Sequence, residues 1–414
     1  YGKEGRRPII KNATSLIVKD GELAQTHQWS KGIRVGILIV YVDDLLIAAD
    51  RRIVLAAMDW FSSKWKMAEP ELLGPEDPQT VLRFLGMTIE RASQTTPATP
   101  EGTILVSQED YILEVCEKFG SHLKHKRTPG PADSFNDQMA WRKKTNSAPT
   151  RLPSSLATAK TYLLDEEVTS SSTALKASAP SIETRTPEPL HSIPSMIGSL
   201  LWIALRTRPD IAWAVSKAAS LAEKDEEQCR LRIKHLISYI NCTSALALKY
   251  TPTSTEQPEL TIFSDASLAP TGEKSHEGSV IKMGQHLLTW RSTKQSLCAL
   301  SSAESELIAA VSTIQLGVTI QQILQELYQL PIPMCLNIDN AAALSMIEKG
   351  SEAPFRTKHI SIRALYLSDL VSKKFLECVY CPTDKQAADS LTKGMTSGET
   401  ARCIQDHLSL TIDY

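Results

Sequence analysis

Residues 260–267 read Leu-Thr-Ile-Phe-Ser-Asp-Ala-Ser, a largely apolar run that ends on an acid. This predicts a strand over Leu260–Ser264, with Asp265 just past its end. Working outward, Ser279–Met283 and His286–Arg291 look like a hairpin around Gly284-Gln285. A long helix is expected over Ala303–Tyr328 and a strand over Cys335–Ile338. Helices over Ala341–Lys349 and about Thr357–Ser372 come next, then a strand over Phe375–Cys381 and a short helix over Gln386–Lys393. Mixed β and α in this order argue a layered α/β domain.

Upstream, Ile33–Val42 and Leu45–Ala48 read as short apolar strands meeting at Asp43-Asp44. Arg83–Glu90 reads as one strand and Gln108–Phe119 as an amphipathic helix. Between Thr128 and Pro189 the chain is rich in Ser, Thr, Ala and Pro, which predicts a flexible linker or insertion. Helical patterns resume over Ser195–Thr207, Pro209–Glu223 and Gln228–Cys242, and Thr251–Pro258 marks a further boundary. The expected organisation is therefore 1–127, 128–190, 191–255 and 258–400.

A net charge of -2 offers no whole-molecule basic field for nucleic acid, but it is compatible with a metal-dependent nuclease, whose site must be acidic. The eight cysteines are scattered. Cys378 and Cys381, with no second pair and no nearby His, make a poor zinc site and read as structural thiols. No paired framework suggests an intracellular setting. No apolar run is read as long enough to span a membrane; the best, Val35–Val42, stops at Asp43-Asp44. The N-terminus is not a signal peptide and does not begin with Met, so a piece of a longer chain is expected.

Four acids stand at telling places: Asp265 after the first strand, Glu306 early in the long helix, Asp339 ending the fourth strand, and Asp389 opening the last helix. Hydrolysing a phosphodiester at neutral pH needs an activated water and a stabilised leaving oxygen, which two Mg²⁺ ions about 4 Å apart supply. Magnesium takes hard oxygen ligands, so Asp and Glu at strand ends and helix starts suit it. Glu304 competes with Glu306. Residues two apart on a helix face different ways, and Ser301-x-x-Glu304 has the form of a capping box, in which Glu304 reaches back to the Ser301 amide. Glu306 is favoured.

The phrases FSDAS (263–267), LTWRSTKQSLCALSSAESELIAA (288–310), IDNAAAL (338–344), RTKHISIRALYL (356–367) and VYCPTDKQAADSLTKGM (379–395) resemble the ribonuclease H domain of copia-type retrotransposons. The resemblance implies a five-stranded mixed sheet flanked by helices and cleavage of the RNA strand of an RNA–DNA hybrid. It implies Asp265, Glu306, Asp339 and Asp389 as catalytic metal ligands, with Mg²⁺ (two ions, or Mn²⁺ in their place) as cofactor. Upstream, Tyr-Val-Asp-Asp (41–44), FLGMTIE (84–90), SQEDYILEVCEKFG (107–120), MIGSLLWIALRTRPDIAWAVS (196–216) and KHLISYINCTSALALKY (234–250) resemble the polymerase that precedes this domain. Asp43 and Asp44 would be the metal ligands of its palm hairpin, followed by a helical thumb or connection. An earlier palm Asp finds no match before Asp43, so nucleotide incorporation by this chain is not expected.

The sequence departs from the family in two places. No Trp is near Asp265, where the family often has one two residues on and Leu268 lies three residues on, and the loop before Asp389 carries Asp384 and Lys385 where many ribonucleases H have a mobile His. His359 matches a family phrase. The resemblance implies an RNA–DNA hybrid and the rest of a polyprotein as partners, and no membrane. The implied setting is cytoplasmic, in a virus-like particle, with access to the nucleus. The alternatives are a non-catalytic remnant that binds nucleic acid or protein, and a related two-metal nuclease acting on DNA.

Overall fold

Leu260–Ser267 (β1) is the central strand of a five-stranded sheet. Its companions are His276–Met283 (β2), His286–Lys294 (β3), Met334–Ile338 (β4) and Leu376–Tyr380 (β5), in the spatial order β3-β2-β1-β4-β5. In this computed structural model the described residues are 14–19, 22–24, 34–77, 81–97, 99–120, 126–129, 191–252, 258–269, 274–350 and 358–412. The Thr128–Pro189 linker reading lies almost wholly outside them.

β1, β2 and β3 run antiparallel, and between β2 and β3 the two-residue turn at Gly284-Gln285 can only reverse the chain. β4 lies parallel to β1 and β5. A parallel step needs a crossover, and Ser302–Tyr328 (α1) provides it. Ala341–Lys349 (α2) and Lys358–Ser372 (α3) complete the step to β5. The fold is the expected mixed five-stranded sheet flanked by helices.

Alternate residues of β2 serve two cores, as the period of a strand requires. Ile281 packs with Ile262, Leu336, Leu307 and Ile314 beneath α1. Val280 faces the other way, into a core with Leu287, Leu391 and the helices Ile193–Arg206, Ala212–Ala219 and Glu226–Cys242. A second sheet joins Leu82–Phe84, Met87–Arg91, Ile104–Ser107, Leu246–Tyr250 and Leu410–Ile412, so the chain returns at 410–412 beside residues 246–250. A four-stranded sheet holds Glu22–Ala24, Thr14–Lys19, Arg34–Tyr41 and Asp44–Ala49.

Several expectations are corrected. β1 runs on to Ser267, so Asp265 lies inside it, opposite Gly278. The strand read over Arg83–Glu90 is a hairpin that turns at Leu85-Gly86, both at positive φ. A Leu there hides the turn, since non-glycine residues rarely adopt that backbone. The turn of the upstream hairpin is Val42-Asp43; Asp44 already pairs with Tyr41. The helix read over Pro209–Glu223 is a short 3-10 turn at Pro209–Ile211 and a helix over Ala212–Ala219 only. Arg208 and Asp210 set that break: fully buried, they pair at 2.9 and 2.7 Å, and Tyr239 Oη donates to Asp210 at 2.8 Å. The last helix shrinks to a 3-10 turn at Ala387–Leu391. α1, finally, is long and apolar enough to cross a membrane, which the reading of apolar runs passed over. Half of its most apolar window is buried here, as in the core helix of a sheet domain.

Candidate metal centre

β1 and β4 are parallel neighbours whose last register pair is Phe263 with Asn337. Two residues further along each chain stand Asp265 and Asp339, brought level by that register. Gln386, 2% exposed, ties the strands where they part: its Nε2 donates to Ser264 O at 3.1 Å and to Asn337 O at 3.5 Å. α1 begins alongside, N-capped by Ser301 Oγ, which accepts from the Glu304 amide at 3.2 Å. The capping box is shifted by one residue from the expected form, for Glu304 Oε2 accepts from the Leu300 amide at 2.8 Å. Glu304 thus caps the helix, and Glu306 turns to the sheet.

One oxygen each of Asp265, Glu306 and Asp339 lie within 4.8 Å of one another. Asp265 and Glu306 are each 5% exposed. Glu306 Oε2 is buried with no hydrogen-bond partner, a costly state for a carboxylate unless a cation comes to it. Burial first, then the charges of Asp265 and Asp339, pushes the Glu306 carboxyl up to about 9. Burial likewise raises Asp265, against the pull of Thr392, whose hydroxyl donates to Asp265 Oδ2, and of Lys393. Asp339 Oδ2 accepts from Thr383 Oγ1 at 3.2 Å.

Asp389 is the fourth acid, outside that three-acid group. Its Oδ2 takes Lys393 Nζ at 2.8 Å, and its Oδ1 is buried without a partner. Burial, then the charge of Asp265, pushes it up to about 7. Burial pulls the Lys393 ammonium down, but Asp389 and the charges of Asp265 and Asp339 outweigh that and raise it. The turn bearing Asp389 rests on β2 at Gly278, where a Cβ would come within 2.8 Å of Ala388 O and 2.9 Å of Thr392 Cγ2. A partly buried chain of bonds fastens the same turn: His276 Nε2 with Ser292 Oγ at 2.8 Å, and Ser292 Oγ to Leu391 O at 2.6 Å. Burial drives His276 down to about 3, so it is neutral here.

Of the residues singled out in the sequence, Asp265, Glu306 and Asp339 come together and Asp389 stands beside them. Asp43 and Asp44 sit exposed at their hairpin, and among the described residues no three-acid group includes them. Asp384 and Lys385 occupy a one-turn 3-10 segment with no buried residue. The side chain of His359 lies outside the described residues. The sequence reading missed Gln386, Thr392, Lys393 and Gly278. For Lys393 a signal existed, since residues four apart on a helical turn face each other; Gly278 gave none. The donor set fits a hard divalent cation: clustered carboxylates, two buried oxygens without partners, and mutual repulsion that a cation relieves.

No protein-family model matches the chain. Over 370 residues, 89% of its length, it is 25% identical to the retrovirus-related Pol polyprotein from transposon TNT 1-94 of Nicotiana tabacum. Over 207 residues, 49% of its length, it is 27% identical to the transposon Ty1-ER2 Gag-Pol polyprotein of Saccharomyces cerevisiae. The chain spans 24% of the first relative and 12% of the second. Among solved structures, the N-terminal ribonuclease H domain of a Mycobacterium tuberculosis protein is similar over 36% of this chain and 98% of its own, at 11% identity and a TM-score of 0.25. LC11-RNase H1 in complex with an RNA/DNA hybrid is similar over 32% and 93%, at 15% identity and a TM-score of 0.25.

Proposed function

We propose that residues 258–400 are a metal-dependent endonuclease that cuts the RNA strand of an RNA–DNA hybrid, within a chain related to retrotransposon Pol polyproteins. The observation that carries this reading is the meeting of Asp265, Glu306 and Asp339 within 4.8 Å at one end of the sheet, with Glu306 Oε2 buried and unpartnered. Similarity to transposon Pol polyproteins along 89% of the chain supports it.

Asp265, Glu306, Asp339 and Asp389 would hold two Mg²⁺ ions, with Mn²⁺ able to replace them. Bound there, such ions supply an activated water and stabilise the leaving oxygen of the phosphodiester. The chain's own part is to hold its oxygens ready. β1 and β4 fix the backbones of Asp265 and Asp339, and Gln386 locks the two strands together beneath them. Hydroxyls of Thr392 and Thr383 orient one oxygen each of Asp265 and Asp339. A ligand whose rotamer is fixed by such an outer contact loses little freedom on binding. Glu306, whose carboxyl burial and the neighbouring acids push up to about 9, would have to release a proton to hold a cation near neutral pH.

In this reading Asp43 and Asp44 belong to a polymerase-like hairpin, apart from the nuclease site. Its partners are the hybrid and the remainder of a polyprotein, in a cytoplasmic particle with access to the nucleus. The test is incubation of the purified chain with a hybrid whose RNA strand is labelled, with Mg²⁺ and with a chelator. RNA cut only with Mg²⁺ is the expected result; an intact hybrid under both conditions leaves a non-catalytic remnant as the better reading.

A further inference from the structure

Among the described residues, the acidic end of the sheet carries a cation of its own. Lys393 Nζ lies 2.8 Å from Asp389 Oδ2, on the side chain of the one acid that stands outside the three-acid group. The pair is half-open to solvent, with Lys393 49% and Asp389 21% exposed. The other oxygen, Asp389 Oδ1, is buried and has no partner. Thr392, the neighbour of Lys393, bonds both to Asp265 Oδ2 and to Asp389 O, so the segment is anchored beside both acids.

We propose that Lys393 is a built-in competitor for the second metal ion: its ammonium holds one oxygen of Asp389, and its charge opposes a divalent ion at the other. This rests on the two-ion reading above. The three-acid group offers a first ion a place with no cation in it. Asp389 offers a second ion a place that already contains one. An ion pair half-open to solvent is only modestly stable, so a divalent ion can displace the ammonium. While bound, it lowers the attraction of the second position for a divalent ion and leaves the first less affected. Lys393 is a positioning residue, since it acts on the ion through Asp389. The consequence is stepwise loading, with the ion at Asp265, Glu306 and Asp339 entering first.

Mn²⁺ binding to the whole 414-residue chain tests this, followed by calorimetry and by the spin signal of free Mn²⁺, both independent of cleavage. The parent should show a tighter and a weaker ion. Lys393→Met, which keeps the length of the stem and removes the charge, should narrow the ratio of the two dissociation constants by roughly tenfold. That scale is what a unit charge exerts on a divalent one a few ångströms away in water-like surroundings. Lys393→Arg keeps the charge and should keep the ratio. Should the parent show one ion only, Lys393→Met must reveal a second. A ratio unchanged in Lys393→Met, or narrowed equally in Lys393→Arg, overturns the proposal and leaves the metal centre standing. No bound Mn²⁺ in any of the three proteins overturns both.

Discussion

At the scale of single residues, the candidate metal centre is made of carboxyls whose ionisation is opposed by burial. Glu306 rises from 4.5 to about 9 and Asp389 from 3.8 to about 7, in both cases first through burial. In the unfolded chain each would ionise near its ordinary value. Between the two values the folded protein binds more protons than the unfolded one, so stability falls as pH rises. The ion-free protein should therefore lose stability from about pH 4.5 to 9, most of it through Glu306. Melting temperatures across this window check it, and Glu306→Gln, uncharged throughout, should flatten the curve. A curve equally steep in the variant would remove Glu306 as its source. Added Mg²⁺ should offset the loss, by roughly 2.7 kcal/mol at a hundredfold excess over its dissociation constant. Asp339→Asn loses a charge but keeps its shape. Ion-free, it should be at least as stable as the parent, and it should gain less from Mg²⁺. Equal Mg²⁺ shifts in the two proteins would place Asp339 outside the site. The meeting of Asp265, Glu306 and Asp339 was legible in the sequence because each stands at the edge of a readable strand or helix, inside a recognisable phrase. Thr392, Lys393 and Gln386 were not, because what they do depends on which strands they reach across space.

At the scale of elements, the site depends on a turn lying flat on a strand. Gly278 faces Asp265 across the β1–β2 pairing and leaves room for Ala388 and Thr392. Gly278→Ala should lift the Ala387–Leu391 turn and destabilise by about 1–3 kcal/mol, the usual range for overpacking. Because Asp389 rides on that turn, the weaker of the two bound ions should be lost before the tighter one. Denaturant unfolding and Mn²⁺ titration measure the two effects; loss of the tighter ion alone would contradict the role given to the turn. Regular elements between Leu260 and Tyr380 were readable within a few residues, since periodicity and turn residues agree there. The misread elements have two causes, a local signal overridden by tertiary contacts and a turn without its usual residue. Arg208 and Asp210 look like helix-surface residues but pair in a core, and the Leu85-Gly86 turn carries a side chain where glycine is usual. Strand Leu410–Ile412 is three residues long and exists because Leu246–Tyr250 offers it a partner.

At the scale of the molecule, the sheet carrying the acids has two covered faces, and one cover comes from residues 193–242. Trp290 Nε1 donates to Ala204 O at 2.8 Å, while Val280 and Leu287 are fully buried in the shared core. The sequence boundary at Thr251–Pro258 separates neighbours in the chain, whereas packing joins them. A shortened chain beginning at residue 258 would bare that face, at roughly 1.5–3 kcal/mol for each large side chain. It should melt roughly 10 °C or more below a chain of residues 191–414. Equal melting temperatures would show that the helices are ornament to the sheet.

The most direct test of the central claim is cleavage of a hybrid with labelled RNA by the purified parent and by Asp339→Asn, each with Mg²⁺ and with chelator. The expected result is cutting of the RNA strand by the parent with Mg²⁺ alone, and none by the variant. Undiminished cutting by Asp339→Asn, or cutting that persists in chelator, would contradict a metal centre built on Asp265, Glu306 and Asp339.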